Sequence, residues 1–258
     1  MTGLRKSSAT YFFAFSFLYV LASYALIAIF DDQTMEILTR ENYLYESSGA
    51  LYLFLASACS LFLFIKTKSG NSLGFLKTKK NYLFLALAFL FFFAFGEEIS
   101  WGQQIFHWRT PEYFEEHNVQ DETNIHNLRL LNDPPDAAGN KSVWRLTLNF
   151  NRLMSLLGIT FGLLIPAAAK ISQKFASRLK KVGIPIVPLW LGALFVLSYI
   201  LLKYAQTNAA SSLLKSRYVE IDESVFSFLF FILTVWWIKN IAQSSDQGER
   251  GPIRDSGV

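Results

Sequence analysis

Histidine and acidic side chains concentrate in one polar segment, residues 97–152, which contains all three histidines, His107, His117 and His126. Glu122 and His126 are four residues apart, so a helix would bring both side chains to one face. Imidazole and carboxylate together suit zinc or another divalent transition metal. The sequence has no HExxH, HxxEH or CxxC motif, so this hypothesis depends on clustering, and exposed histidines without a ligand role are the alternative. The predicted metal ligands are Glu98, His107, Glu122 and His126.

Charged residues from different apolar runs fall at one predicted depth. Counted from the inner edge of each run, a helical rise of about 1.5 Å per residue places Glu97, Glu98, Glu223 and Lys203 at about 24–26 Å. Glu46 lies at about 30 Å, the thickness of a hydrocarbon core. Charges at this depth are costly unless they face a partner or water. We therefore expect a polar pocket that opens outward, in which Lys203 partly neutralises Glu97, Glu98 or Glu223; the alternative is that the acids only extend to the interface.

The clustering of polar residues and the shared predicted depth define the remaining candidate residues. The predicted catalytic residues are Glu97, Glu98, Glu223 and Lys203. The predicted substrate-binding residues are Glu46, Trp101, Gln104, Asn124 and Asn127. If the third apolar run continues as a helix to about residue 108, Glu97, Trp101, Gln104 and Trp108 share one face. Thr110-Pro111-Glu112 predicts the start of a short helix to about residue 117, and a second helix is expected over about 121–131.

Six apolar runs must position these residues. Of the 258 residues, 52% are hydrophobic and 17% charged, against about 25% charged in soluble domains. Runs of about 20 apolar residues predict membrane-spanning helices. The predicted fold is an all-α integral membrane protein, a six-helix bundle over residues 1–243 with a long helical extracytoplasmic loop between helices 3 and 4. The predicted spans are 9–30, 47–65, 81–99, 153–171, 187–206 and 224–241.

The charge distribution predicts the orientation. The loop between spans two and three and the stretch after span four contain basic residues and no acid. Basic loops stay cytoplasmic, so both termini are predicted inside and residues 97–152 outside a bacterial inner (plasma) membrane. The net charge of +4 is explained in this way and not by nucleic acid. Residues 244–258 are predicted to be a disordered cytoplasmic tail. The oligomeric state is left open.

Three strings of the outer segment resemble a motif of an uncharacterised family of bacterial multi-pass membrane proteins. They are GEEISWGQ at 96–103, TPE at 110–112 and an N-x-Q-x-E-x-N-x-H-N pattern at 118–127. The acid-rich entry to the second span, with Glu41 and Glu46, is similar too. The resemblance implies that the outer polar segment is the working part. A looser likeness to metal-dependent hydrolases of lipid amides lacks their paired histidines in a late span.

Three functions remain open at this point. The first is a hydrolase or transferase that uses a divalent metal ion and acts on a lipid or lipid-linked substrate at the outer membrane face. The second is a non-catalytic assembly or binding factor whose outer loop docks a partner. The third is an ion-coupled transporter that uses the same four predicted catalytic residues, although no inverted repeat is evident.

Overall fold

The computed structural model describes residues 2–40, 43–66, 81–132, 150–182 and 184–249. Within these ranges the chain is helical and contains no β-strand, as the apolar runs predict. The helices, in chain order, are α1 (Thr2–Ile29), α2 (Asp32–Leu38), α3 (Leu44–Lys66), α4 (Tyr82–Glu98), α5 (Gln103–Phe106), α6 (Glu112–His117), α7 (Arg129–Asn132), α8 (Phe150–Ile159), α9 (Ile165–Ile171), α10 (Gln173–Val182), α11 (Leu189–Thr207) and α12 (Ser212–Glu249).

Five helical stretches are long and apolar enough to cross a membrane. They are Ala9–Ile29, Leu44–Lys66, Arg152–Ile171, Leu189–Thr207 and Ser212–Asn240. These stretches agree with five of the six predicted spans and support a multi-pass membrane protein in contact with a lipid bilayer. The remaining predicted span, 81–99, corresponds to α4, an apolar helix of 17 residues. At about 1.5 Å per residue, α4 is about 25 Å long.

The last helix is longer than predicted. α12 begins at Ser212 and continues to Glu249, so residues 244–249 are helical rather than part of a disordered tail. Residues 250–258 lie outside the described part of the chain.

The bundle is built around α3, which packs extensively against both α4 and α12. α11 packs on α12, and α1 contacts α11 and α12. Large aromatic side chains fill the space between these helices, because a membrane bundle is held by close packing rather than by exclusion of water. The largest buried side chains are Trp237, Phe84, Phe91, Phe195 and Phe230.

Glycines allow the fourth apolar run to pack closely on α11. An added Cβ at Gly192 would lie 2.3 Å from the carbonyl oxygen of Gly162, and one at Gly158 would lie 2.7 Å from the ring of Phe195. The GxxxG pair, Gly158 and Gly162, therefore does form a packing face. A π-helical turn, Thr160–Leu164, precedes Pro166 and accommodates the proline within the run.

Candidate functional site

The chain turns back at the outer end of α4. α4 ends at Glu98, and Ser100, Trp101 and Gly102 then adopt left-handed backbone with φ of 47°, 54° and 94°. This conformation is costly for residues that carry a side chain, so surrounding contacts must hold the turn. The expected continuation of α4 to about residue 108 is therefore wrong. No continuous helix connects the four residues that were predicted to share one face, Glu97, Trp101, Gln104 and Trp108.

Trp101 folds back onto the end of α4. Its ring lies over Gly96, where an added Cβ would come within 2.9 Å of ring atoms, so only glycine leaves room for it. The indole Nε1 donates a hydrogen bond of 2.7 Å to Glu97 Oε1. The ring also makes an edge contact with Phe93, with 5.5 Å between the ring centres. The glycine and the tryptophan of the motif therefore position the Glu97 carboxylate.

Glu97 joins α4 to a loop far along the chain. Its side chain is 1% exposed, and Oε2 accepts hydrogen bonds from the backbone N–H groups of Ile125 at 2.7 Å and His126 at 2.8 Å. The imidazole Nδ1 of His126 lies 3.4 Å from the same oxygen. A buried carboxylate is stable when donors surround it in this way. Glu97 thus anchors the outer loop and does not line the cavity described below.

Glu122 is held by a small group of polar side chains and not by a helix. The expected helix over 121–131 is wrong, because the helical part is only Arg129–Asn132. Glu122 Oε2 accepts from Ser100 Oγ and from Asn124 Nδ2, each at 2.8 Å. Asn124 Nδ2 also contacts Ser100 Oγ at 3.1 Å. The predicted pairing of Glu122 with His126 on one helical face is therefore replaced by a contact with the turn after α4.

Three asparagines close the outer loop. Asn118 Nδ2 donates to the carbonyl oxygen and to Oδ1 of Asn124, at 3.0 and 2.9 Å. Asn118 Oδ1 accepts from the backbone N–H of Gln120 at 2.8 Å, and Asn127 Nδ2 donates to Gln120 Oε1. All three asparagines are less than a tenth exposed. Asn124 and Asn127, predicted to bind substrate, instead use their side chains within the loop.

The middle of the motif connects the turn to the rest of the loop. Gln103 Nε2 donates to Thr110 Oγ1 at 2.7 Å, and Gln103 Oε1 accepts from the backbone N–H of Thr123 at 2.7 Å. The predicted short helix is confirmed as α6, which begins at Glu112 after Pro111 in the N-cap position. The three strings of the motif therefore form one hydrogen-bonded unit, which we call the outer-loop network; its members include Glu97, Ser100, Trp101, Gln103, Thr110, Asn118, Gln120, Glu122, Asn124, His126 and Asn127.

The predicted metal ligands are not gathered at one point. Within the described ranges, no group of three or more His, Cys, Asp or Glu side chains is placed to hold a metal ion. Glu122 and His126 belong to the outer-loop network, whereas Glu98 lines a cavity. His107 is exposed and ends α5 in left-handed backbone with φ of 55°. Glu98, Glu122 and His126 are close enough to interact electrostatically, but the predicted ligands do not form a group that could hold a metal ion within the described ranges.

A cavity of about 460 Å³ lies among α8, α11 and α12 and is also lined by Leu53 of α3 and by Glu98 at the end of α4. Its volume is typical of small-molecule sites, about 300–1,000 Å³. Glu98, Glu223 and Lys203, which were predicted to share a pocket, all line it. Two further charged residues, Arg152 and Asp222, also line it. Much of the remaining wall is apolar and includes Leu53, Met154, Leu202, Phe226 and Phe230.

The charged side chains that line this cavity differ in their exposure to solvent. Arg152 and Lys203 are exposed, Glu98 and Glu223 are half-buried, and Asp222 is buried. The cations therefore lie at the mouth and the carboxylates lie deeper. Such an arrangement can bind a group that carries negative charge at one end and hydrogen-bond donors or positive charge at the other.

Arg152 and Asp222 are not among the predicted site residues, and Asp222 is the buried one of the two. It accepts hydrogen bonds from Ser198 Oγ at 2.6 Å and from the Tyr24 hydroxyl at 3.0 Å, and the positive charge of Lys203 acts on it. Lys203 itself donates to Gln206 Oε1 at 3.1 Å. The sequence does contain a signal for Asp222, because this residue directly precedes Glu223 at the outer end of the last predicted span and has nearly the same predicted depth.

Glu98 differs sharply from its neighbour Glu97. It is half-buried, lines the cavity, and interacts electrostatically with His126. No hydrogen bond from the described residues fixes its carboxylate. Glu98 and Glu46 both act electrostatically on Glu223, so carboxylates from α3, α4 and α12 meet at one level, as the depth count predicts. The side chain of Gln104, the remaining predicted site residue, lies outside the described part of the structure.

His126 makes the stability of the outer-loop network depend on pH. Burial lowers the pKa of His126, but contact with Glu97 and the charges of Glu98 and Glu122 outweigh this and raise it above its ordinary value. Protonation therefore stabilises the folded loop. This contribution is complete below the unfolded pKa of about 6.5 and is lost as the pH rises through the higher folded-state pKa.

We expect the melting temperature in detergent to fall as the pH rises above about 6.5, because His126 then loses its proton in the folded protein. His126→Gln should remove much of this dependence. His117→Gln is the matched control, because His117 is exposed and stacks on Tyr113 away from Glu97. Equal pH slopes for the two variants would contradict this role for His126.

No known protein family, no curated protein and no solved structure matches the chain. The outer-loop network and the cavity are therefore the features from which a function is inferred.

Proposed function

We propose that this is a membrane protein that binds the headgroup of a lipid or lipid-linked molecule in the cavity among α8, α11 and α12. One observation carries the proposal: five charged side chains and an apolar wall line the same cavity of about 460 Å³. An amphiphile needs both kinds of surface. Arg152 and Lys203 at the mouth suit a phosphate or carboxylate, and the deeper carboxylates suit amine or hydroxyl donors.

The proposed reaction class is a hydrolase or transferase. Glu98, Asp222 and Glu223 offer carboxylates for general acid–base catalysis next to bound substrate. Glu98 is the best candidate for contact with the reacting group, because no hydrogen bond from the described residues restrains it. The outer-loop network positions Glu98 through its neighbour Glu97. The metal hypothesis is not carried forward with the predicted ligand set, because the described residues do not gather it.

Binding without turnover is the second candidate. It is favoured by the outer-loop network, in which Glu97, Glu122, Asn124 and Asn127 serve the loop rather than a substrate. Transport has less support. Among the described residues, the buried charged side chains are Glu97 and Asp222, both at the level of the cavity.

The proposed topology has six spans with both termini in the cytoplasm and residues 97–152 at the outer face of the inner membrane. α4 counts as a span because it packs extensively along α3 and its length of about 25 Å suits a hydrocarbon core that thins slightly. Reporter fusions at Gly70 and Gly139 should report inside and outside respectively, and a fusion at Val258 should report inside. A Val258 fusion that reports outside while the Gly70 fusion reports inside would mean an odd number of spans between these two positions, where four are proposed.

Filling the cavity tests the binding function directly. Ser155→Phe adds a ring to the cavity wall, so we expect a lipid adduct present in native mass spectra of the wild-type protein to be lost. Leu153→Phe places the same ring on the same helix at an exposed position, 44% accessible, and should retain the adduct. A wild-type protein without an adduct, or two variants with equal adducts, would overturn the proposal.

A further inference from the structure

The outer loop presents an exposed apolar surface that does not line the cavity and, apart from Trp101, takes no part in the outer-loop network. Its members are Trp101, Ile105, Phe106 and Trp108, and we call it the 101–108 patch. Their exposed fractions are 41%, 60%, 71% and 42%. Large apolar side chains clustered in this way on a polar segment indicate a contact surface.

The backbone is shaped to present these rings together. His107 has φ of 55°, and this left-handed residue lets the rings of Phe106 and Trp108 stack at 5.8 Å with 11° between their planes. Gly102 has φ of 94°, and an added Cβ there would come within 3.3 Å of both rings. Two left-handed residues thus flank the four-residue helix α5, and the aromatic pair is exposed at its C-terminal end.

The patch is continuous with the outer surface of α4. Trp101 contacts Phe93, which is 37% exposed, and the same helix exposes Phe89 at 67% and Phe92 at 48%. If α4 spans the membrane, these phenylalanines face acyl chains. Tryptophan and phenylalanine side chains are favoured where acyl chains meet headgroups.

We propose that the 101–108 patch docks the outer loop onto the outer leaflet, with lipid as its occupant. Continuity with the α4 surface favours lipid over a protein partner. Because Trp101 also donates to Glu97, docking holds the turn that places Glu98 at the cavity. This inference rests on the proposed membrane orientation but not on ligand binding in the cavity.

Single-cysteine spin labelling in phospholipid vesicles tests the docking. Cys59 is the one cysteine of the sequence, so Cys59→Ser gives a cysteine-free background. A nitroxide is attached at Phe106→Cys, at Phe89→Cys as the bilayer reference, and at Glu116→Cys as the exposed polar reference. Accessibility to oxygen is compared with accessibility to a water-soluble nickel chelate.

We expect the oxygen-to-nickel ratio at residue 106 to exceed that at residue 116 by several-fold and to approach that at residue 89. Ile105→Cys is the second reporter and should behave like Phe106→Cys, so one poorly folded variant does not decide the test. Nickel accessibility at 105 and 106 equal to that at 116 would overturn the docking. Spin–spin broadening at 106 would also overturn it by showing a second copy at the patch. Neither result bears on the cavity, which the Ser155→Phe comparison tests separately.

Discussion

Glu97→Gln is expected to destabilise the protein more than any other conservative change in the outer loop. The carboxylate accepts from three N–H groups, those of Trp101, Ile125 and His126. An amide replaces one acceptor oxygen with a donor, so at least one buried N–H group loses its partner. Breaking a buried, hydrogen-bonded charge in this way costs about 3–5 kcal/mol. Thermal unfolding in detergent should show a large fall in melting temperature.

Glu115→Gln is the matched control for this variant. Glu115 pairs with Arg109 at 3.1 Å, but the side chains are 37% and 87% exposed. Exposed pairs of this kind contribute about 0–1 kcal/mol. The melting temperature of Glu115→Gln should therefore stay close to that of the wild type. A Glu97→Gln protein as stable as the Glu115→Gln protein would show that Glu97 does not anchor the loop.

Glu98→Gln should have the opposite effect: the fold is retained and ligand binding is lost. Removing the charge gives up the attraction of His126, but it relieves the burial of a charge and the repulsion with Glu97, Glu122 and Glu223. It breaks no hydrogen bond given by the described residues. The melting temperature should therefore be unchanged or higher. A charge-assisted hydrogen bond contributes about 1.5–3 kcal/mol, so affinity for the lipid that co-purifies with the wild type should fall about 10- to 100-fold.

The Glu97→Gln and Glu98→Gln variants together distinguish a residue that anchors the loop from a residue that binds the ligand. Affinity is measured by adding the co-purified lipid back to delipidated protein, with Glu115→Gln again as the control of unchanged affinity. A Glu98→Gln protein that binds as tightly as the control would remove Glu98 from the site. A Glu98→Gln protein with a strongly lowered melting temperature would give Glu98 a packing role instead.

The helices and the depth of the charged residues could be predicted from the sequence. Long apolar runs define spans almost regardless of their neighbours, because a bilayer sets the length. Helical rise then fixes the level of a residue along each span, so Glu98, Glu223 and Lys203 were expected together. The depth of a residue in the membrane does not show which way its side chain points around the helix axis. For this reason Asp222 was missed, although it is next to Glu223.

The outer-loop network could not be predicted from local patterns. The spacing of Glu122 and His126 fits a helix, but the loop is shaped by contacts between residues distant in sequence, such as Glu97 with the backbone of Ile125 and His126. The left-handed turn at Ser100 and Trp101 is unfavourable locally and is held by these contacts. A pattern of polar residues therefore indicated an important segment, but not whether its residues bind a ligand or one another.

This distinction changes how the motif is interpreted. Most of its polar residues build the outer-loop network, and Glu98 is the motif acid directed into the cavity. The resemblance to the membrane-protein family with the same motif stays a prediction. In this structure the motif has a structural role, because it fixes the end of α4, and the end of α4 positions Glu98 at the cavity.

Density in the cavity tests the central claim most directly. A cryo-electron microscopy map of the wild-type protein in lipid nanodiscs, with an antibody fragment bound to add mass, would resolve α8, α11 and α12. We predict elongated density in the cavity, with its polar end between Glu98 and the side chains of Arg152 and Lys203. A map that resolves lipids around the bundle but shows the cavity closed by side chains, or filled by water alone, would contradict the account.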